Sequence, residues 1–217
     1  MIEAVIFDMD GVIAHTNPHH SISFREFFAR YDIFPSEEEF RNHMYGKNNG
    51  YIMSYFFDRE VKGDELKKLE AEKEGMFREI YAEHVKPLPG LMYFLEDLAK
   101  NGIKAGVATS APRANLDLII DKLEIRNRFG SLLSEEDVKT HKPSPEVYLK
   151  SAKNLETDPA NCLVFEDSSS GASAGLNAGM KVGGVLTSHT KEELPKCDFF
   201  INDFTGLRIE NLQFGKL

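Results

Sequence analysis

At 217 residues the chain is long enough to bury a sizeable core, either as one domain or as one domain carrying an insertion. Its 41% hydrophobic and 28% charged residues match an ordinary soluble globular protein and exclude general disorder, and its net charge of −9 argues against nucleic acid and anionic membranes as partners. Only Cys162 and Cys197 are cysteines, so no disulfide framework is indicated, and with no basic leader or bilayer-length apolar run the cytoplasm is the expected location.

The first element is the short apolar run Ala4-Val5-Ile6-Phe7, too short for a buried helix and rich in β-branched and aromatic residues, which reads as a buried strand. Asp8 then stands at the strand's C-terminal end, where open α/β sheets place their ligand crevice. Asp10 follows two residues later in a turn opened by Gly11. Two carboxylates held close repel unless a cation or proton intervenes, so the pair calls for a hard metal ion such as Mg²⁺, which takes oxygen ligands and works with phosphates. The alternative, two aspartates that only end a strand and open a turn, stays open on this stretch alone.

From about His20 to Val85 the pattern is helical. Phe24, Phe27, Phe28 and Tyr31 recur at helical spacing, Ser36 with Glu37 to Glu39 reads as a cap and acidic first turn, and Asp64 to His84 is amphipathic. After Lys86-Pro87-Leu88-Pro89-Gly90 the pattern alternates. Strands are expected at Ile103–Ala108, Ser131–Leu133, Cys162–Phe165, Val182–Leu186 and Phe199–Ile201, and helices at Gly90–Lys100, Arg113–Leu123, Pro145–Asn154 and Ser169–Ala178. This predicts an α/β fold with a mostly parallel sheet and helices on both faces, into which the helical segment is inserted after the first strand. The tail from Phe204 to Leu217 carries no assignment.

Three later stretches that follow strand candidates supply groups that the first site lacks. Thr109 and Ser110 offer hydroxyls and turn amides able to hold phosphate oxygens. Lys142 sits in a loop stiffened by Pro143 and Pro145, where a fixed ammonium could neutralise a phosphoryl group and Asp8. Glu166 and Asp167 lead from a strand into Ser168-Ser169-Ser170-Gly171. Each has a plainer alternative: a helix cap for Thr109, a solvated lysine for Lys142, and helix N-terminal acids for Glu166 and Asp167.

FDMDGV at Phe7 to Val12, VATS at Val107 to Ser110, KPSPEVY at Lys142 to Tyr148 and FEDSSSGASAGLNAGM at Phe165 to Met180 appear in this order. With these four motifs the sequence resembles the haloacid dehalogenase superfamily, in its phosphatase and β-phosphoglucomutase-like branch. The resemblance implies a Rossmann-like catalytic core of residues 1–15 and 86–217 and a helical cap of residues 16–85 that opens and closes to control water. It implies Asp8 as the nucleophile that becomes an aspartyl-phosphate, Asp10 as acid and then base, and Thr109 and Lys142 as grips on the phosphoryl oxygens. Mg²⁺ would be held by Asp8, the Asp10 backbone carbonyl and Asp167, with Glu166 binding it directly or through water.

Within the superfamily, Asp10 with Glu166-Asp167 argues against halide displacement, and the cap lysine of phosphonatases has only Lys47 as a counterpart, at the wrong spacing from Gly46. The cap loop around Lys47 and Asn49 is the expected substrate-binding segment. Asn49 stands where β-phosphoglucomutases carry an arginine, and a lysine replaces a bidentate guanidinium poorly. Thr16 and His20 fall where mutases place a hinge threonine and a histidine coupled to Asp10, and Ser110 and Arg113 are further substrate-binding candidates. A metal site built from His15, His19 and His20 competes with the oxygen-rich site and suits a hard cation less well. The expected function is a Mg²⁺-dependent phosphatase of small phosphorylated metabolites, sugar phosphates foremost, acting as a monomer. A hexose-phosphate mutase is the alternative, and a phosphonatase or a non-catalytic binding protein stands behind it.

Overall fold

The computed structural model describes residues 1–44 and 49–213. In chain order, β1 (Ala4–Phe7) is followed by α1 (Asn17–Ala29), α2 (Glu37–His43), α3 (Asn49–Phe56) and α4 (Gly63–Tyr81). The chain continues through α5 (Leu91–Lys100), β2 (Lys104–Ala108), α6 (Arg113–Lys122), β3 (Ser131–Leu133), α7 (Glu146–Asn154) and β4 (Cys162–Glu166). It ends with α8 (Ser169–Asn177), β5 (Lys181–Val185), β6 (Phe199–Ile201) and α9 (Ile209–Gln213). Two compact units result, one of Met1–His15 with Val85–Leu217 and one of Thr16–His84.

The first unit is a parallel sheet in the order β3-β2-β1-β4-β5-β6, a Rossmann-like α/β core. All four residues of β1 are buried, as a strand with neighbours on both edges and helices on both faces requires. The strands and helices expected in this unit all form, with no end displaced by more than one residue, because hydrogen bonding at an element's end depends on neighbours that a local pattern does not contain.

Behind the end of β1 lies an aromatic cluster. The Phe7 ring stacks on Phe165 at 5.6 Å, meets Phe94 edge-on at 6.2 Å and lies 5.8 Å from Phe204. Phe204 in turn is 5.1 Å from Phe165 and 5.5 Å from Phe94. The described part of the tail that carried no assignment therefore packs onto the core, with Phe204, Leu207, Ile209 and Leu212 buried; residues 214–217 lie outside the described residues.

Among its described residues the second unit packs four helices. Phe24, Phe27 and Phe28 of α1 are buried against Leu69 and Met76 of α4 and Ile52 and Met53 of α3. Ser36 opens α2 through a capping box: its hydroxyl accepts the Glu39 amide, and the Glu39 carboxylate accepts the Ser36 amide.

Because Phe204 contacts three rings beneath the end of β1, Phe204→Ala should destabilise the protein by about 3–5 kcal/mol, the usual cost of emptying a buried aromatic site. Urea unfolding measures this, and a loss under about 1 kcal/mol would show that the tail lies outside the cooperative core.

Candidate active site

In this sheet β1 is the central strand, from which the chain moves to β2 and β3 on one side and later crosses to β4, β5 and β6 on the other. The switch point therefore falls at the C-terminal ends of β1 and β4, where such sheets open a crevice. Asp8 follows β1 directly, with its amide donating to the Phe165 carbonyl at 2.9 Å, and Glu166 closes β4. Both carboxylates thus inherit their positions from the sheet's own register.

Lys142 joins them. Its side chain is 4% exposed, and Nζ donates to Asp8 Oδ1 at 2.6 Å, to Glu166 Oε1 at 2.7 Å and to the Ala108 carbonyl at 3.0 Å. A single ammonium thereby ties together the ends of β1, β4 and β2. Tyr148 lies under it, with its ring 4.8 Å from Nζ and its hydroxyl donating to Glu166 Oε1 at 2.9 Å. Burial and the Glu166 charge raise the Tyr148 phenol, which keeps it a protonated donor. The other oxygen of Glu166 accepts the amides of Asp167 and Ser168, both at 3.0 Å, and the Ser168 hydroxyl at 2.9 Å. Gly171 leaves room for this carboxylate: a Cβ there would lie 1.6 Å from Glu166 Oε1.

The electrostatic balance is uneven. Burial raises Asp8 well above the usual carboxylate range, and Glu166, Asp167 and Asp10 add to the rise against the pull of Lys142. Burial with the Glu166 charge pushes Asp167 up to about 7. Burial works against Glu166 as well, yet Lys142 and the Ser168 donors outweigh it and hold its carboxyl low. The Lys142 ammonium loses hydration on burial, but Asp8 and Glu166 hold it firmly charged. Four carboxylates against one ammonium leave an excess of negative charge. Ligand atoms of Asp8, Glu166 and Asp167 lie within 4.8 Å of one another, all of them oxygen. This donor set fits a hard divalent cation, which would offset the burial and the neighbouring negative charges that raise Asp8 and Asp167.

The remaining expected site residues divide into groups. Thr109 is buried at the end of β2, with Oγ1 accepting the Ala111 amide at 3.0 Å, so it shapes the turn after the strand. It does not cap α6, whose N-cap is Pro112. Ser110 beside it is exposed. Arg113 is engaged elsewhere: both terminal nitrogens donate to the Leu132 carbonyl at 3.2 Å, and one pairs with Asp137. Contact with a phosphate would cost it those bonds.

In the helical unit, the Thr16 carbonyl accepts the amides of His19 and His20 as α1 begins. His20 lies flat on Phe77 at 3.7 Å with Nδ1 2.8 Å from Lys73 Nζ, and Lys73 pairs with Glu74 at 2.8 Å. Asn49 opens α3 and its side chain bonds to Glu70. Lys47 lies outside the described residues. Of the histidine trio, His15 belongs to the first unit and His19 and His20 to the second. Sequence reasoning assigned no role to Tyr148, Lys73 or the Thr187-Ser188-His189 stretch. The last was accessible in principle, since hydroxyl residues directly after a fifth parallel strand must emerge at the same end of the sheet.

A model of the haloacid dehalogenase-like hydrolases matches residues 5–185. The chain belongs to this family of hydrolases. A phosphorylated-carbohydrates phosphatase of Thermotoga maritima is 30% identical, covering 86% of this chain and 87% of its own. A β-phosphoglucomutase of Bacillus subtilis is 29% identical over 85% of this chain and 83% of its own. Among solved structures, a family IA HAD hydrolase from Entamoeba histolytica superposes with a TM-score of 0.91 at 29% identity, covering 97% of both chains. Among the described residues, no helix is long and apolar enough to cross a membrane.

The carboxyl shifts set a pH dependence of stability. Asp8 and Asp167 bind protons more tightly folded than unfolded, so the stability they contribute is complete below the unfolded carboxylate pKa of about 4. It is then lost as pH rises toward about 7, the value for Asp167. Glu166 acts with the opposite sign, below that window. The melting temperature of the metal-free protein should therefore fall between about pH 5 and pH 8, and Mg²⁺ should raise it more at the higher pH. Asp167→Asn should flatten the slope. A Mg²⁺ effect equal at both pH values, with no flattening, would contradict the charge balance drawn here.

Proposed function

We propose that the chain is a Mg²⁺-dependent phosphatase of small phosphorylated metabolites, sugar phosphates foremost, working through an aspartyl-phosphate on Asp8. The observation that carries this reading is the buried Lys142 Nζ at 2.6 Å from Asp8 Oδ1, with Glu166 and Asp167 beside it. A hydrogen-bonded ammonium fixes the orientation of the Asp8 carboxylate and offsets the charge of an incoming phosphate. A non-catalytic binding protein has no need of four buried or half-buried carboxylates around one lysine.

In the proposed sequence, an Asp8 oxygen forms a bond to phosphorus while the bond from phosphorus to the substrate oxygen breaks, and Asp10 donates its proton to the departing alcohol. Asp10, now a carboxylate, takes a proton from water, which attacks phosphorus and releases phosphate with Asp8 restored. Thr109 holds a phosphoryl oxygen, and Lys142 does so by exchanging one of its three present acceptors for another. Mg²⁺, held by Asp8, Asp167 and the Asp10 carbonyl, would supply electrostatic stabilisation of the phosphoryl charge. Residues 16–85 serve as the cap that selects the rest of the substrate.

The substrate class rests on the relatives. The Thermotoga maritima protein is named for phosphorylated carbohydrates and the Bacillus subtilis protein for a phosphoglucose. Hydrolysis is preferred over the mutase reaction because Asn49 stands in place of an arginine and its amide is bound to Glu70. That leaves a poor grip for the second phosphate of a bisphosphate.

Phosphorus NMR with Mg²⁺ and a panel of sugar phosphates, including β-glucose 1-phosphate with a trace of the 1,6-bisphosphate, should show free phosphate as the main product. Glucose 6-phosphate with little free phosphate would establish the mutase instead. Asp8→Asn should lower turnover by roughly 10³-fold or more with an unchanged circular dichroism spectrum. An active Asp8→Asn enzyme would defeat the mechanism.

A further inference from the structure

The loop after β5 carries Thr187, Ser188 and His189, three consecutive residues outside the four motifs. All three engage the acidic crevice. The Ser188 hydroxyl hydrogen-bonds Asp167 Oδ2. His189 Nδ1 lies 2.9 Å from the Asp167 backbone carbonyl, which can only accept, so this ring nitrogen carries the proton. Thr187 Oγ1 lies 2.7 Å from the Gly11 carbonyl and 3.3 Å from Asp167 Oδ2, so its one proton goes to Gly11.

Gly11 shows how tightly the loops are drawn together. Its φ is +73°, and a Cβ there would lie 1.9 Å from Asp167 Oδ2 and 2.9 Å from Thr187 Oγ1. The loop bearing Asp8 and Asp10 and the loop bearing Asp167 thus meet at a position that only glycine fills, and the β5 loop is bonded to both.

We propose that Ser188, supported by Thr187, is a positioning residue for divalent-cation binding. This rests on the reading that Asp8 and Asp167 hold Mg²⁺. Asp167 is a buried carboxylate beside other negative charges, so repulsion favours turning it away from Asp8 until a cation arrives. The Ser188 bond fixes Oδ2, hence the carboxylate plane and the place of its second oxygen. Thr187 meanwhile holds the neighbouring Gly11 peptide, which adjoins the Asp10 carbonyl. The cation then meets ligands already in place and need not pay for their ordering, as outer partners of metal ligands commonly ensure.

Mn²⁺ titration of the full chain, followed by the electron paramagnetic resonance of the free ion, reads this without turnover. Ser188→Ala should weaken Mn²⁺ binding by about tenfold or more, the usual effect of deleting an outer partner. Ser188→Thr, which keeps the hydroxyl, should bind like the parent protein, and Thr187→Val should weaken binding in the same direction. In activity assays Ser188→Ala should raise the Mg²⁺ concentration needed for half-activation while kcat at saturating Mg²⁺ stays within about twofold. If Ser188→Ala does not fold, Ser188→Cys keeps the volume with a weaker donor and should show the same loss. A folded Ser188→Ala or Ser188→Cys protein that binds Mn²⁺ as tightly as the parent overturns the proposal alone. A parent protein that binds no Mn²⁺, or binds it equally after Asp167→Ala, overturns the metal reading itself and this proposal with it.

Discussion

The Lys142 ammonium holds the ends of β1, β2 and β4 together, bonded to Asp8, the Ala108 carbonyl and Glu166 in a place almost closed to water. A buried lysine is tolerable only where its lost hydration is replaced by full hydrogen bonding and opposite charge, and here each of its three protons has an acceptor. The constraint runs in both directions. Without the ammonium, Asp8 and Glu166 would be buried like charges, and removing one partner of such a pair commonly costs about 3–5 kcal/mol. The lysine and its carboxylates stabilise one another, and the same arrangement leaves Asp8 short of complete neutralisation.

That shortfall is where structure passes into chemistry. A fully balanced site would hold little affinity for a cation, and the cation in turn offsets the charge of an incoming phosphate. Burial, with one ammonium against several carboxylates, raises Asp8 and Asp167 in the absence of a cation and makes a crevice that suits a hard divalent ion. The parallel sheet makes this affordable by delivering the groups on strand ends whose register is fixed by buried cores, among them the stacked Phe7 and Phe165 rings directly behind Asp8 and Glu166. Rigid elements set the positions, and the loops between them add the donors.

Much of this was legible in the sequence because the relevant signals are local. Three short apolar runs each end in a chemically distinctive residue, and alternation with helical segments implies that all such ends share one edge of a parallel sheet. Asp8, Thr109, Glu166 and Asp167 were accessible on that logic, and Lys142 through its prolines. Contacts made across the fold were not legible. Tyr148 reads as an apolar helix position until its hydroxyl is seen on Glu166, and Ser188 reads as a polar loop residue until the β5 loop is brought against Asp167. Arg113 shows the converse: its place after the second motif suggested a phosphate ligand, whereas its guanidinium is bonded to the Leu132 carbonyl and Asp137. A charge near a site in sequence is not a charge available to it.

The central claim is that Asp8 attacks phosphorus and carries the phosphoryl group between two half-reactions. Its most direct test is acid quenching during turnover, followed by peptide mass mapping of the protein. The account predicts a peptide spanning Asp8 heavier by one phosphoryl group, present only with substrate and Mg²⁺ and absent from Asp8→Asn. Sustained phosphate release with no phosphoryl group on that peptide, or one found on a different residue, would contradict it.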